Sequence, residues 1–191
     1  MILFNSKIYT ILHSETVMER LIIRICCLLL LISSLTMAQQ ETNKFRIGIF
    51  DSRCVALAYG RSTEFMKEMD NLRNDVAKAK EDGNQELVKE LEQQGPTKQV
   101  LMHQQVFSNG SINNILEKIK DKFPAIAKEN NFKMILSKWE ISFIDESFEL
   151  LDITDQLVAM FDPDDATKKI IDNIKVMEPV HIEKISINPM D

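Results

Sequence analysis

Apolar and non-apolar positions alternate through Phe45-Arg-Ile-Gly-Ile-Phe50, placing Phe45, Ile47 and Ile49 on one face and predicting a β-strand. Asp51-Ser52 ends it, and either side chain can cap a following helical turn. From Ser62 the period changes to that of a helix. Phe65, Met66, Met69, Leu72, Val76 and Ala79 make one stripe, with charges filling the other faces. Acid-to-base pairs three residues apart recur as Glu64/Lys67, Asp70/Arg73, Asp75/Lys78 and Glu86/Lys89, and each supports an exposed helix by about 0.2–0.5 kcal/mol. Gly83-Asn84 marks a break or bend, after which Leu87, Val88 and Leu91 continue the stripe. Gly95-Pro96 reads as a stop and restart, since glycine suits the position after a helix and proline the first position of the next. The tip of an αα-hairpin is therefore expected near Gly95.

The returning segment carries Val100, Leu101, Val106 and Phe107, pauses at Ser108-Asn-Gly110 and resumes with Ile112, Ile115, Leu116, Ile119, Phe123 and Ile126. Pro124 should kink this helix by removing a backbone donor. Residues 132–136 and 141–144, on either side of Ser137-Lys-Trp-Glu140, predict a short β-hairpin. Two strands alone are marginal, so the first strand is expected beside them. Leu151-Asp-Ile-Thr-Asp155 offers Asp152 or Thr154 as N-cap for the turn Leu157-Val-Ala-Met-Phe161. A helix over about 166–176 and an edge strand over 181–187 complete the pattern. The predicted class is α+β: a small β-sheet body with a projecting αα-hairpin, the hairpin spanning about residues 61–130.

Ahead of the strand, Arg20 and Arg24 precede the apolar run from Ile25 to Leu35, followed by Thr36-Met37-Ala38. A charged region, a short apolar core and a small-residue cleavage site predict a signal peptide over residues 1–38, starting at Met1 or Met18, with an uncleaved anchor as the alternative. Residues 39–44 form a polar spacer. Arg24-Ile25 lacks the small residues that a lipid-attachment cysteine needs before it, which argues against lipidation at Cys26 or Cys27.

The full chain has 191 residues, a length suited to one core, and no second apolar run approaches the roughly 20 residues of a membrane span. Its formal net charge is −6, and loss of the leader makes the remainder one unit more negative. An acidic chain argues against a nucleic-acid binder. Cys54 is the one cysteine left after cleavage, so no intrachain disulfide can form; it reads as a buried packing residue, with a reactive or intermolecular thiol as the alternative.

Motifs of catalysis are weak. His103 and His181 lie far apart and outside metal-ligand spacings, and no GxSxG, P-loop or GxGxxG occurs. Asp162-Pro-Asp-Asp165 lacks the glycine and glutamate of a calcium loop and reads as a solvated linker. Asn109-Gly-Ser111 is a formal glycosylation sequon whose better reading is a turn before a helix. No cofactor is expected.

The segments Ile47-Gly-Ile-Phe-Asp-Ser52, Ala125-Ile-Ala-Lys-Glu-Asn-Asn-Phe-Lys-Met-Ile-Leu136 and Leu151-Asp-Ile-Thr-Asp-Gln-Leu-Val158 occur in the order strand, helical hairpin, strand and "DITD"-type helix. The chain thereby resembles the Skp (OmpH) family of periplasmic chaperones over residues 45–162, leaving 163–191 as a C-terminal extension. The resemblance implies a homotrimer whose strands form a body and whose hairpins surround a cavity. Unfolded outer-membrane or envelope proteins would be held there without ATP. The sequence departs from the family in its interrupted arms, its acidic arms and its extension.

On this reading the client-facing candidates are Phe65, Met66, Met69, Leu72, Val76, Val100, Leu101, Val106 and Phe107. Ordinary packing between the two helices is the competing role for each. The candidates for the subunit interface are Ile47, Ile49, Met134, Leu136, Trp139 and Phe143. Three strands leave free edges, which invite pairing with another chain. The expected function is that of a non-enzymatic periplasmic holdase. The alternative is a structural adaptor of the same fold that binds one folded envelope partner.

Overall fold

A computed structural model describes residues 44–185. The predicted leader and the last positions of the predicted edge strand lie outside the described residues. β1 (Phe45–Phe50) forms where the alternation places it. Asp51 then caps α1 (Ser52–Gly60), its carboxylate accepting from the Arg53 backbone N–H. Ser62 caps α2 (Thr63–Glu81) in the same way through the Phe65 N–H. The chain reverses at Gly83, where φ is +66°, a conformation that glycine adopts without a Cβ penalty. Asn84 caps the return helix α3 (Gln85–Phe107).

The arm is thus α2 against α3, and its tip is Gly83 rather than Gly95. Gly95-Pro96 lies inside an uninterrupted α3. The Gly-Pro pair looked like a boundary, but no positive φ occurs at Gly95, and the helix tolerates the missing donor of Pro96.

α4 (Asn113–Ile119) and α5 (Phe123–Asn130) follow, joined by a 3-10 turn. Pro124 does not kink a long helix. It stands in the first turn of α5, where its missing N–H costs nothing. Asn131, with φ of 54°, ends α5 in the left-handed conformation and leads into β2 (Phe132–Ser137).

The sheet differs most from expectation. Its order is β2-β1-β3, with β3 at Phe148–Asp152, and both outer strands run parallel to β1. No β-hairpin forms. A parallel neighbour must begin at the same end of the sheet as β1, so the chain leaving β2 has to travel back before β3 can start. Residues 141–144, predicted as a strand, belong to that return. Ile141, Phe143 and Ile144 lie across the sheet beside Ile47, Met134 and Leu136. The fold is a mixed α+β arrangement with a small parallel sheet.

The Asp-Ile-Thr-Asp block straddles a boundary. Asp152 closes β3 and accepts from the Thr154 N–H, and α6 (Thr154–Val158) begins at Thr154. Asp162 then takes a left-handed conformation and Asp164 caps α7 (Asp165–Lys175) through the Thr167 N–H. The acidic tetrapeptide is therefore a helix stop followed by a helix start. At the predicted edge strand, Ile182–Lys184 form a 3-10 turn instead.

One side of the sheet carries the core. Phe50 and Phe132 pack with Val55, Ile115, Ile126, Leu157 and Ile171 from the helices. Gly48 permits this approach, because a Cβ there would meet the Phe132 ring at 3.0 Å. At the base of the arm Gly60 does the same for Met102, whose sulfur would lie 2.8 Å from an added Cβ.

Candidate functional site

Three places in the molecule gather chemistry: a buried ionic cluster, the exposed sheet face and the arm. The buried cluster sits where β1 passes into α1. Asp51 and Arg53 are almost fully buried and paired, Arg53 Nη2 to Asp51 Oδ2 at 2.8 Å and Nε to Oδ1 at 3.1 Å. Lys138 Nζ stands 3.0 Å from Oδ2, and the Trp139 indole N–H donates to Oδ1 at 2.9 Å. The Arg53 guanidinium lies over the Trp139 ring and also donates to the Ile174 carbonyl. Burial pushes the Asp51 carboxyl up, but hydrogen bonds from Arg53, Trp139 and Lys138 outweigh it and hold the group at about 2.

A carboxylate so fully engaged cannot serve as a general base. The cluster ties β1, the end of β2 and α7 together. Cys54 stands beside it, fully buried, its thiol pushed up to about 12 by burial and by the Asp51 charge. Such a thiol is inert as a nucleophile. His103, on α3, and His181, just before the 3-10 turn at Ile182–Lys184, are both exposed. Among the described residues, no three His, Cys, Asp or Glu side chains converge as a metal site.

The sheet face opposite the core is apolar and incompletely covered. Register and alternation place Phe45, Ile47 and Ile49 of β1, Met134 and Leu136 of β2, and Phe148 and Leu150 of β3 on that side. Phe45 is 54% exposed and Met134 57%, while Phe148 and Leu150 are each more than a third exposed. The return segment covers part of this face and leaves Phe143 85% exposed at its rim. Between them lies a hollow of about 460 Å³. Because β1 is central, β2 and β3 each keep one edge without a strand partner among the described residues. Beyond the β2 edge a second groove, of about 620 Å³, is lined by Ile112, Leu116, Phe123 and the residues of β2.

Of the interface candidates, Met134 and Phe143 are the most open, Ile49 and Leu136 are half-buried, and Ile47 is nearly buried under the return segment. Trp139 is not on this face; its indole serves the Asp51 cluster. Phe45, Phe148 and Leu150 belong to the face and were missed by sequence reasoning. For Phe45 the alternation already placed it with Ile47 and Ile49. For β3 no alternation signal separates Phe148-Glu-Leu-Leu-Asp152 from a helix entry.

On the arm, Met66, Leu101 and Phe107 are exposed, Met69, Leu72 and Val76 are half-buried facing α3, and Val100 is half-buried. Val106 goes into the core, and Phe65, half-buried, stacks edge-on against Tyr59 at 5.3 Å. Lys118 of α4 locks the base of the arm, reaching Glu64 at 2.8 Å and Glu68 at 2.7 Å. Its hydrogen bond is the main reason that the Glu68 carboxyl is held below the ordinary range, and burial together with Glu68 pushes Tyr59 up to about 12.

No described helix is long and apolar enough to cross a membrane. Comparison of the chain with known family profiles, with curated proteins and with solved structures returns no match to any of them.

Proposed function

We propose that the chain is a non-enzymatic, ATP-independent holdase of the Skp (OmpH) type, exported to the periplasm. It self-associates, as a trimer, through its sheet and holds unfolded outer-membrane or envelope proteins against its arms. The observation that carries this reading is the pair of incompletely covered apolar surfaces, one on the sheet and one along the hairpin. A chain that keeps phenylalanine and methionine exposed on a sheet whose outer strands each lack a second strand partner among the described residues has a reason to associate. Methionines at helical spacing suit varied partners, because the flexible thioether repacks around different shapes. The resemblance is carried by the order of strand, arm and Asp-Ile-Thr-Asp block.

Such a protein acts by mass action. Reversible binding lowers the free concentration of aggregating chain, and no group needs to be chemically transformed.

The test is light scattering on the purified protein with several unrelated barrel-forming clients diluted from urea. Suppression of aggregation across clients is expected, with Met66→Glu/Met69→Glu reducing it several-fold. Failure with every client, together with tight binding of one folded envelope protein, would instead establish the adaptor reading.

A further inference from the structure

The two helices of the arm do not close along their whole length. Ala79 of α2 and Val88 of α3 are buried near the turn, and Met102 closes on Gly60 at the base. Between these two contacts Met69, Leu72 and Val76 of α2 face Leu91 and Gly95 of α3 across a notch of about 290 Å³. Gly95 interrupts the apolar stripe of α3, and a Cβ built there would meet no neighbouring atom within 4 Å. The notch is thus a local gap, walled by half-buried apolar side chains and by the exposed Arg73 and Glu92, and open to solvent.

Its surroundings are acidic. Two charged side chains line the notch, Arg73, which pairs with Asp70, and Glu92; from Met69 to Gly95 the arm carries seven carboxylates against the four cations Arg73, Lys78, Lys80 and Lys89. Lys80 neutralises Glu92 at 2.7 Å; Glu81, Asp82, Glu86 and Glu90 have no ion-pair partner among the described residues. An apolar hollow on a net-acidic arm favours an apolar group flanked by positive charge. The burial drives binding, and the charge chooses the sequence and speeds the encounter.

We propose that the Gly95 notch is an anchor site for one large apolar side chain of an unfolded polypeptide, with preference for segments where that residue is flanked by lysine or arginine. The proposal takes the unfolded state of the partner from the holdase reading and adds where on the arm it is gripped and which sequences are gripped best. Met69 adapts the wall to different side chains, while Leu72, Val76 and Leu91 supply the fixed part of it.

The experiment uses the purified protein and three labelled, unstructured peptides of about 15 residues, identical except at the centre: Lys-Phe-Lys, Glu-Phe-Glu and Lys-Ser-Lys. Fluorescence anisotropy should rank Lys-Phe-Lys first by about tenfold or more over either control, consistent with burial of one aromatic side chain. Gly95→Leu fills the notch from inside. It should weaken Lys-Phe-Lys binding by about tenfold while leaving thermal stability unchanged or raised, because leucine favours a helix over glycine. Loss of binding with gained stability is a combination that general damage to the arm does not produce.

A peptide carrying a photoreactive benzoyl group on the central ring gives a second measurement that needs no variant: its crosslinks should map to Met69, Leu72 or Leu91. Equal binding of all three peptides, unchanged binding by Gly95→Leu, or crosslinks confined to the sheet would each overturn the proposal. Aggregation of the clients measured in parallel separates the outcomes. A protein that suppresses aggregation but ignores the peptide series is a holdase without this notch, and one that fails both lacks the holdase function itself.

Discussion

Asp51 shows how much of the architecture rests on one side chain. It caps α1, pairs with Arg53, receives the Trp139 indole and the Lys138 ammonium, and its own backbone N–H donates to the Thr154 hydroxyl. A buried pair of this kind is costly to break, because removing one charge strands the other in a low-dielectric interior. Asp51→Asn keeps the cap and the size of the side chain but leaves Arg53 without its counter-charge. Its unfolding free energy at pH 7, measured by urea titration, should fall by about 3–5 kcal/mol. The pH dependence follows from the direction of the shift. The folded carboxyl titrates at about 2, below its ordinary 3.8, so its stabilisation is complete above that ordinary value and is lost as pH falls toward 2. The gap between the wild-type protein and Asp51→Asn should therefore be constant from pH 7 to about 5 and narrow steadily below about 4. The capping role was legible from Asp51-Ser52 at the end of an alternating run. The pairing was not, because Lys138, Trp139 and Thr154 reach Asp51 only once the sheet has assembled.

At the scale of elements, local signals placed the starts of structure well and the arm's turn badly. β1, the cap of α2 at Ser62 and the amphipathic stripe all follow from period and capping chemistry, which act within a few residues. The turn was assigned to Gly95-Pro96 because that pair carries two helix-ending residues, whereas the chain turns where a positive φ and an asparagine cap coincide, at Gly83-Asn84. Pro96 therefore sits in a helix that it weakens: it cannot donate to the Glu92 carbonyl, and its ring crowds that turn. Pro96→Ala should stabilise α3 by about 1–3 kcal/mol, less than the full cost of an interior proline because α3 accommodates it without breaking. Hydrogen exchange should report it as slower exchange of the amides around residues 92–100, with the core helices unchanged. The same misplacement hid half of the notch. Met69, Leu72 and Val76 were legible as a stripe, but Leu91 and Gly95 face them only if α3 runs past Gly95 unbroken. The strand assigned to 141–144 failed for a comparable reason, since alternation alone cannot tell a paired strand from an extended segment crossing a sheet face.

At the scale of the whole molecule the deciding feature is a sheet covered by helices on one side and only by the return segment on the other. Parallel sheets ordinarily bury both faces. Here Phe45, Met134, Phe148 and Leu150 are exposed beside Phe143, and each outer strand has one edge without a strand partner among the described residues. In the proposed trimer, copies of the same sheet would meet at these faces and edges, whereas a single bound peptide would satisfy one edge and leave the face wet. Met134→Asp/Phe143→Asp places two charges where both side chains are already more than half exposed. On the proposed trimer reading it should leave the folded chain intact, with unchanged helical circular dichroism, and lower the light-scattering mass from that of an oligomer to that of one chain. On the same proposed reading, arms borne on a monomer cannot enclose a client, so aggregation suppression should fall with the mass even though the notch at Gly95 is untouched. If the double variant loses its oligomer and still binds the Lys-Phe-Lys peptide as the wild-type protein does, gripping belongs to the single arm and enclosure to the assembly.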